Sequence, residues 1–228
     1  MFIRAPSVAK FSPVIIARNT GGIAGTNAYL IGDGESKQAV IFDAPDNTLA
    51  PLLEVASERG LDIIGLWLTH GHFDHVADHL EVTKRFPTAK VLIHKLDEPK
   101  LLDPNASVFV LPFTIAPRRA DAYVEDGQTL SIGTLRVEVI HTPGHSPGHV
   151  MYHFPDEKIL VGGDLIIGGS VGRTDLPDSD HVELERSIRR VMRLPPDTRL
   201  LAGHGDVSTL ELERITNPYV QEILARFA

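Results

Sequence analysis

The sequence predicts a layered domain that combines β-sheets with α-helices. Three observations carry this prediction: short apolar runs rich in β-branched residues, segments of helical periodicity between them, and Gly, Pro or Asp at most of their boundaries. These segments alternate along 228 residues without a clear repeat, a low-complexity stretch or an obvious linker. We therefore expect one α/β (α+β) domain over residues 1–228, with a sizeable core of its own.

The first half of the chain predicts strands and helices in alternation. Early strands are expected in SPVIIA, TNAYLIGD and AVIFDAP. A helix over residues 47–59 should end at Gly60, because glycine is a common helix stop. DIIGLWLTH is expected to be a buried strand, followed by a helix from about Asp74 to Phe86 and a strand in KVLIHK.

The second half begins with an irregular segment, residues 97–120, which contains four prolines. We expect a surface excursion there that forms a lid or a substrate wall. QTLSIGTLRVEVIHTPG and HVMYHFPDEKILVGGDLII each predict a hairpin, the second turning at Pro155-Asp156. HVELERSIRRVMRL predicts an amphipathic helix, TRLLAGHG a strand, and the tail from Thr209 a helix broken near Pro218.

Composition excludes several classes of protein. The chain has no cysteine, which rules out disulfides, thiolate zinc sites, iron–sulfur clusters and a cysteine nucleophile. Its net charge of −8 disfavours binding to nucleic acid, which needs clustered Lys and Arg. The first residues show no signal peptide, and no stretch has the length of a membrane span. We therefore expect a cytoplasmic protein without a membrane or nucleic-acid partner.

The stretch WLTHGHFDHVADHL concentrates imidazole and carboxylate side chains behind an apolar run. Side chains two positions apart on extended chain share a face, so His70 and His72 can direct their rings to one point. Asp74 and His75 follow where the chain turns into a helix, and they can face a second point nearby. Gly71 allows the backbone to bend between the ligands. Because two metal ions about 3.5–4 Å apart are a recurrent hydrolytic arrangement, this loop predicts the start of a two-metal site.

Three later strand ends supply further candidate ligands. His145 lies in HTPGHSPGH, Asp164 in LVGGDLI and His204 in LLAGHGD, each just past an apolar strand. Such ends gather at one edge of a sheet, where loops on a rigid scaffold carry function. Imidazole and carboxylate donors suit zinc, iron or manganese. We expect two divalent metal ions, with zinc favoured.

The other histidines are interpreted as ordinary surface or core groups. This interpretation applies to His79, His94, His153 and His181. His141 and His149 are interpreted in the same way, but a role as hydrogen-bond partners of ligand imidazoles is left open for them. A metal-bound imidazole usually needs a partner for its second ring nitrogen.

THGHFDH resembles the H-x-H-x-D-H motif of the metallo-β-lactamase fold superfamily. TPGHSPGH, GGDLI and AGHG resemble the later ligand motifs of that superfamily, in the same order, and the similarity extends from TNAYLI to ERITNP. GSVGRTDLPDSD is similar to the short, glyoxalase II-like (hydroxyacylglutathione hydrolase-like) branch. The resemblance implies a four-layer αββα sandwich of two mixed β-sheets flanked by helices, with metal ions at one edge of the sheets.

The resemblance also implies how the ligands divide between two metals. The implied ligands are His70, His72 and His145 for the first metal, Asp74, His75 and His204 for the second, and Asp164 as the bridge between them. Asp43, in FDAP, matches an aspartate that supports the site from behind the ligands. With 24 residues after His204, no separate C-terminal helical substrate domain is expected.

The predicted reaction is metal-assisted hydrolysis of a small-molecule thioester. Bound cations would supply an activated water and stabilise the charge on the carbonyl oxygen and the leaving thiolate. Asp74 is expected to orient the nucleophile and Asp164 to fix the metal spacing, which makes these two the predicted catalytic residues. The resemblance implies a hydroxyacylglutathione as substrate. Arg173 is a candidate contact for its anionic groups, and an arginine that only ties its loop down is the alternative.

Two other chemistries fit parts of the sequence. Persulfide dioxygenases are similar and use one iron, which His70, His145 and Asp164 could hold as a facial triad. GGSVG matches the G-x-S-x-G pattern of serine hydrolases with Ser170 as nucleophile. That pattern requires a sharp strand-to-helix turn, whereas the residues after Ser170 predict a loop. A β-lactamase, a nuclease and a purely structural metal module are disfavoured.

Overall fold

β-Branched segments of the first half form a six-stranded mixed sheet in this computed structural model, which describes residues 14–226. Its strands, in chain and in spatial order, are β1 (Val14–Gly21), β2 (Thr26–Asp33), β3 (Gln38–Phe42), β4 (Asp62–Trp67), β5 (Lys90–His94) and β6 (Ala122–Val124). The first three strands pair antiparallel, and β3 to β6 pair parallel. Helices make the parallel crossovers: α1 (Leu49–Arg59), α2 (Phe73–Val76), α3 (His79–Arg85) and α4 (Glu98–Leu102).

The second half forms another six-stranded sheet, in the spatial order β14-β13-β10-β9-β8-β7. Its strands are β7 (Thr129–Ile132), β8 (Leu135–His141), β9 (Val150–Phe154), β10 (Ile159–Gly163), β13 (Arg199–Ala202) and β14 (Ser208–Thr209). A small hairpin, β11 (Ile166–Ile167) and β12 (Ser170–Val171), and helix α5 (His181–Val191) lie between β10 and its parallel neighbour β13. Helices α6 (Leu210–Thr216) and α7 (Pro218–Ala225) follow.

Three apolar clusters hold four layers together. The first joins helices α1 to α4 to one face of the first sheet, with Leu52 packed among residues such as Ile63. The second lies between the two sheets, and the third packs α5 and α7 onto the outer face of the second sheet. Burial of these apolar surfaces is the main stabilising contribution. The layers are therefore helix, sheet, sheet and helix, and the predicted αββα sandwich is confirmed.

Aromatic side chains fill the space between the sheets and link them through hydroxyl groups. The Phe42 ring lies edge-on to Tyr152, with centroids 5.2 Å apart. The Tyr152 hydroxyl, from the second sheet, donates to the carbonyl of Leu68 at the end of the β4 segment, at 3.0 Å. The Tyr29 hydroxyl, from the first sheet, donates to the carbonyl of Ala202 at 2.7 Å. Both bonds lie close to the strand ends that carry predicted ligands.

Most predicted elements are present. Helix α1 ends at Gly60, which has a left-handed φ of 62°. The two predicted hairpins are β7–β8 and β9–β10, and the tail helices are separated at Asn217 and Pro218. The first predicted strand, SPVIIA, corresponds to the start of β1 from Val14 onward. Its first two residues, Ser12 and Pro13, lie outside the described residues, as does the part of the assessed signal-peptide segment up to residue 13.

The predicted helix from Asp74 to Phe86 is instead two short helices, α2 and α3. The backbone N–H of Asp78 donates to the carbonyl of Ala44 at 2.8 Å, where a continuous helix would use Asp74. The carbonyl of His75 likewise accepts from the N–H of Ala44 at 2.8 Å. The loop after β3 thus takes over helix hydrogen bonds, and this long-range pairing breaks the helix.

The predicted irregular segment 97–120 contains helix α4, and this part of the prediction was wrong. Pro99 lies in the first turn of α4, where its missing N–H has no helical partner to lose. The remaining residues, 103–121, have no regular secondary structure. Among residues 14–226, no helix has the length and apolar character that a bilayer span requires.

Gly144, in the loop between β8 and β9, offers a test of how this loop packs on α5. Its φ is 135°, and a Cβ there would lie 2.3 Å from the backbone N of Leu184 in α5. We expect Gly144→Ala to lower the free energy of unfolding by about 2–4 kcal/mol, because strain and overlap add. Gly127→Ala is the control: φ is 73° but the space is open, so the cost should be about 1 kcal/mol. Urea unfolding measures both, and equal losses would contradict this packing.

Candidate metal centre

The seven predicted ligands lie together at one edge of the sandwich. Five of them follow the ends of strands β4, β8, β10 and β13, and the other two lie in α2. The seven are His70, His72, Asp74, His75, His145, Asp164 and His204. Their donor atoms form three groups in which all atoms lie within 4.8 Å of one another. The groups are His70, His72 and His145; Asp74, His75 and His204; and His70, His75 and Asp164.

Asp164 lies between the first two groups. Its Oδ2 is 3.6 Å from the Nε2 of His145 and 3.2 Å from the Nε2 of His204. Its Oδ1 is 3.4 Å from the Nε2 of His75. One carboxylate therefore contacts histidines of both groups, which is the position that a bridging ligand would need.

The donor set fits divalent cations. The buried atoms His70 Nε2, His75 Nε2 and Asp164 Oδ1 have no hydrogen-bond partner. A buried polar atom without a partner is costly, and a cation would satisfy all three lone pairs. The Nδ1 of His72 is 2.9 Å from the Nε2 of His145, so these two nitrogens also face the same point. Imidazole and carboxylate donors suit zinc, iron or manganese.

Hydrogen bonds on the far side of the rings fix the orientation of the ligands. Asp43 Oδ2 accepts from Thr69 Oγ1 and from His75 Nδ1, both at 2.8 Å. Because the Thr69 hydroxyl proton is used in this way, its oxygen accepts from His70 Nδ1 at 3.1 Å. His145 Nδ1 donates to the carbonyl of Arg173 at 2.9 Å. In each ring the Nε2 lone pair is thereby left facing the cluster.

The structure places Asp43 where the sequence predicted a supporting aspartate. Its carboxylate is buried directly behind the ligands, and its Oδ1 also accepts from the backbone N–H of Thr69 at 2.8 Å. Asp43 has a left-handed φ of 57°, which turns the chain at the end of β3. Through Thr69 and His75 it orients one histidine of each group.

The other histidines lie outside the cluster, as interpreted. Among them, His149 is the one that supports a ligand, and it does so through the backbone: its Nε2 accepts from the N–H of Asp164 at 2.9 Å. Burial lowers the pKa of His149 to about 3, so it is neutral. His141 stacks on His94 and contacts the carbonyl of Pro147. The role left open for these two, as partners of ligand rings, is therefore filled by Asp43, Thr69 and the Arg173 carbonyl.

Asp97 was not singled out from the sequence, although it follows a buried strand as the candidate ligands do. Its carboxylate is fully buried and accepts from the N–H groups of Gly71 and Gly148, both at 2.7 Å, and from Ser146 Oγ. Gly71 separates His70 from His72, while Ser146 directly follows His145. Asp97 therefore joins the two loops that carry the His70, His72 and His145 group.

The charge of the site is balanced between carboxylates and imidazoles. Burial and the neighbouring His145 lower the pKa of His72 to about 4. Burial would also lower the pKa of His204, but hydrogen bonds to Asp164 and Asp74 raise it to about 10. Burial would raise the pKa of Asp74, yet His75 and His204 bring it down to about 2. A cation that binds His204 takes the place of its proton.

A cavity of about 460 Å³ opens onto the ligands His72, Asp74, His145, Asp164 and His204. The Arg173 side chain lines this cavity, as a substrate contact should. Its guanidinium, however, makes a two-pronged ion pair with Asp175, at 2.6 and 2.7 Å. Ser170 lies on the short strand β12 and not at a strand-to-helix turn, so the geometry of a serine hydrolase is not formed.

Comparison with known proteins identifies the family of this chain. Residues 21–204 match the model of the metallo-beta-lactamase superfamily. A probable metallo-hydrolase of Bacillus subtilis, YqgX, is 34% identical over 198 residues, which are 85% of this chain and 92% of the relative. The hydroxyacylglutathione hydrolase GloC of Haemophilus influenzae is 32% identical over 203 residues, again 85% of this chain and 92% of the relative.

Solved structures show the same fold. The B3 metallo-beta-lactamase BLEG-1 superposes with a TM-score of 0.82 at 34% identity, covering 90% of this chain and 99% of its own. TTHA1623, in a di-iron-bound form, superposes with a TM-score of 0.79 at 36% identity, covering 89% of this chain and 99% of its own. ETHE1 from Myxococcus xanthus superposes with a TM-score of 0.74 at 26% identity, covering 91% of this chain and 85% of its own. The fold of this chain is thus one that binds metal ions, which in TTHA1623 are two iron ions.

Asp43→Ala tests how the ligands are oriented. We expect it to weaken metal binding by about 10–100-fold, because both His70 and His75 lose their fixed orientation. Metal per chain after dialysis against buffered free zinc measures this effect. Asp33→Ala is the matched control: Asp33 is equally buried and accepts backbone N–H bonds, at the other end of β2 from the site. Equal metal loss in the two variants would contradict the role of Asp43.

Asp97→Asn tests the connection between the ligand loops. The amide replaces one acceptor oxygen with a donor, so one of the Gly71 and Gly148 N–H groups loses its partner, at a cost of about 1–3 kcal/mol. We expect a preferential loss of metal from the His70, His72 and His145 group, leaving about one ion per chain at limiting free zinc. Asp33→Asn controls for a general loss of stability. Retention of both ions, or an equal loss from both groups, would argue against this connection.

Proposed function

Because this chain belongs to the metallo-beta-lactamase superfamily, we propose that it is a metallo-hydrolase that cleaves thioesters, with an S-hydroxyacylglutathione as the first substrate to test. The observation that carries the proposal is the pair of three-residue groups on either side of Asp164, at the floor of an open cavity. Similarity to the hydroxyacylglutathione hydrolase GloC supports the thioester class.

Bound divalent cations would supply an activated water and a positive field for the carbonyl oxygen and the departing thiolate. Two such ions are proposed, with zinc favoured and iron or manganese as alternatives. The di-iron form of TTHA1623 supports a two-metal arrangement in a similar fold. Five imidazoles and two carboxylates would complete coordination without any sulfur ligand.

The side chains around the cations would position the reactants. Asp74 Oδ2 accepts from Thr26 Oγ1 at 2.7 Å and lies 3.4 Å from His204 Nε2, so its carboxylate is held in one orientation. Asp74 also lines the cavity, where it would orient the attacking water by accepting a hydrogen bond from it. Asp164, held between the groups, would set the distance between the two cations.

A persulfide dioxygenase is the second candidate. ETHE1 supports it by similarity of fold and sequence. His70, His145 and Asp164 lie close enough to hold one iron, since each pair shares a donor group or a 3.6 Å contact. The expectations of a small-molecule substrate, of a cytoplasmic location and of no nucleic-acid or membrane partner remain predictions.

Metal content and turnover, measured on the same sample, test the proposal. Protein purified without added metal should hold close to two metal ions per chain and hydrolyse S-lactoylglutathione. Asp164→Ala and His72→Ala should lose metal and lower kcat/KM by more than about a hundredfold, because each removes a ligand. Ser170→Ala is the control and should keep both metal and activity.

Two other sets of results would contradict the proposed hydrolase. One iron per chain, no thioester turnover, and oxygen uptake on addition of glutathione persulfide would replace the hydrolase with the dioxygenase. Loss of activity in Ser170→Ala with metal retained would favour the serine mechanism.

A further inference from the structure

Apolar side chains form part of the lining of the cavity next to the ligands, and this part is here called the apolar wall. This apolar wall consists of Phe73, Pro104, Ala106, Val108 and Phe109. Phe73 lies between the ligands His72 and Asp74 in the chain, and its ring centroid is 5.7 Å from that of Phe109. Val108 and Phe109 are 62% and 41% exposed. Large apolar side chains exposed together beside a site are a typical sign of a binding surface.

The lysine and arginine side chains of the cavity already have anionic partners. Among the described lining residues these are Lys100 and Arg173. Lys100 pairs with Asp178 and lies 3.3 Å from the buried carboxylate of Asp97. The Arg173 guanidinium pairs with Asp175 and covers the face of the Phe109 ring, with Cζ 5.7 Å from its centroid. The cavity thus presents no unpaired ammonium or guanidinium among these residues.

The walls therefore distinguish between the two halves of a thioester. The glutathione half carries two carboxylates and one ammonium, and burying these charges without partners would be costly. An acyl chain carries no charge and gains free energy when it leaves water for apolar side chains. The part of the substrate that fills the cavity should be the acyl half, while a charged thiol would extend toward solvent.

We propose that this enzyme selects thioesters by an apolar acyl group, which lies against the apolar wall, and prefers it to a short hydroxyacyl group. The inference rests on the proposed thioester hydrolysis and adds the class of acyl substrate. A hydroxyl on the acyl group would meet hydrocarbon at the apolar wall, so it would gain no hydrogen bond there.

A series with one thiol and three acyl groups tests the proposal. For the zinc-loaded protein, kcat/KM for S-hexanoylglutathione should exceed that for S-acetylglutathione at least about tenfold. Each fully buried methylene raises kcat/KM roughly fourfold, and the hexanoyl group has four more methylenes than the acetyl group. Partial burial of these four methylenes is therefore enough for a tenfold difference. S-lactoylglutathione should rank below the hexanoyl compound. Equal kcat/KM values across the series, or a preference for lactoyl, would overturn the inference.

Two variants locate the selectivity. Phe109→Ala should reduce the hexanoyl-to-acetyl ratio of kcat/KM at least about threefold, because it removes one of the two aromatic rings of the apolar wall. Tyr219→Ala, which removes an exposed aromatic ring from α7, should leave both the ratio and the activity unchanged. An unchanged ratio in Phe109→Ala would mean that the selectivity arises elsewhere.

A binding measurement separates this inference from the proposed function. Calorimetry with the thioethers S-hexylglutathione and S-methylglutathione needs no turnover. At least about fivefold tighter binding of the hexyl compound would support an apolar site even if no thioester is hydrolysed, in which case only the proposed reaction fails. Equal affinity would reject the apolar site, whatever the activity.

Discussion

The two sheets are hydrogen-bonded to each other at the edge that carries the ligands, and the metal centre depends on this junction. Asn27 of β2 donates through its backbone N–H to the carbonyl of Gly203 at 2.7 Å and through its side chain to that of Ala202 at 2.9 Å. The Tyr29 hydroxyl also donates to Ala202. Buried bonds of this kind are costly to break. They fix the end of β13, and hence His204, relative to the first sheet, which carries His70 and His75.

Two buried carboxylates secure the ligand loop after β4 from either side. Because β3, β4 and β5 are parallel neighbours, their carboxyl ends meet at one edge, where loops form a crevice. Asp43 follows β3 and binds Thr69 and His75, whereas Asp97 follows β5 and binds Gly71. The same Asp97 reaches across to the loop of His145 in the second sheet. The ligand loop therefore needs little regular structure of its own, since charged groups on its neighbours satisfy its backbone.

The sequence was sufficient for the parts of the fold and site that depend on local pattern. The cluster in WLTHGHFDHVADHL and the ligand-type residues that follow three later apolar strands located all seven members of the site, because apolar periodicity indicates where strands end. It was not sufficient where a partner comes from a distant segment. Asp97 shares the strand-end signal, but the backbone N–H groups that donate to it, from Gly71 and Gly148, lie 26 and 51 residues away. The interruption between α2 and α3 follows from the backbone hydrogen bonds that His75 and Asp78 make with Ala44. Helix propensity alone does not predict such long-range bonds.

Glycines next to the ligands determine how closely the loops approach, and this explains why they border so many of the site motifs. A Cβ on Gly203 would lie 2.1 Å from Oδ1 of Asp164, and one on Gly172 would lie 2.0 Å from the carbonyl of the same residue. Gly71, expected from the sequence to allow a bend, is needed for space, because a Cβ there would lie 2.8 Å from the carbonyl of Asp97. Close packing leaves the ligand side of the cavity almost no freedom to vary without losing its geometry. Four of the five residues of the apolar wall lie instead on the segment 103–121, which has no regular secondary structure. On the proposed selectivity, metal binding would depend on the packed edge of the sheets, and the choice of acyl group mainly on an irregular loop beside it.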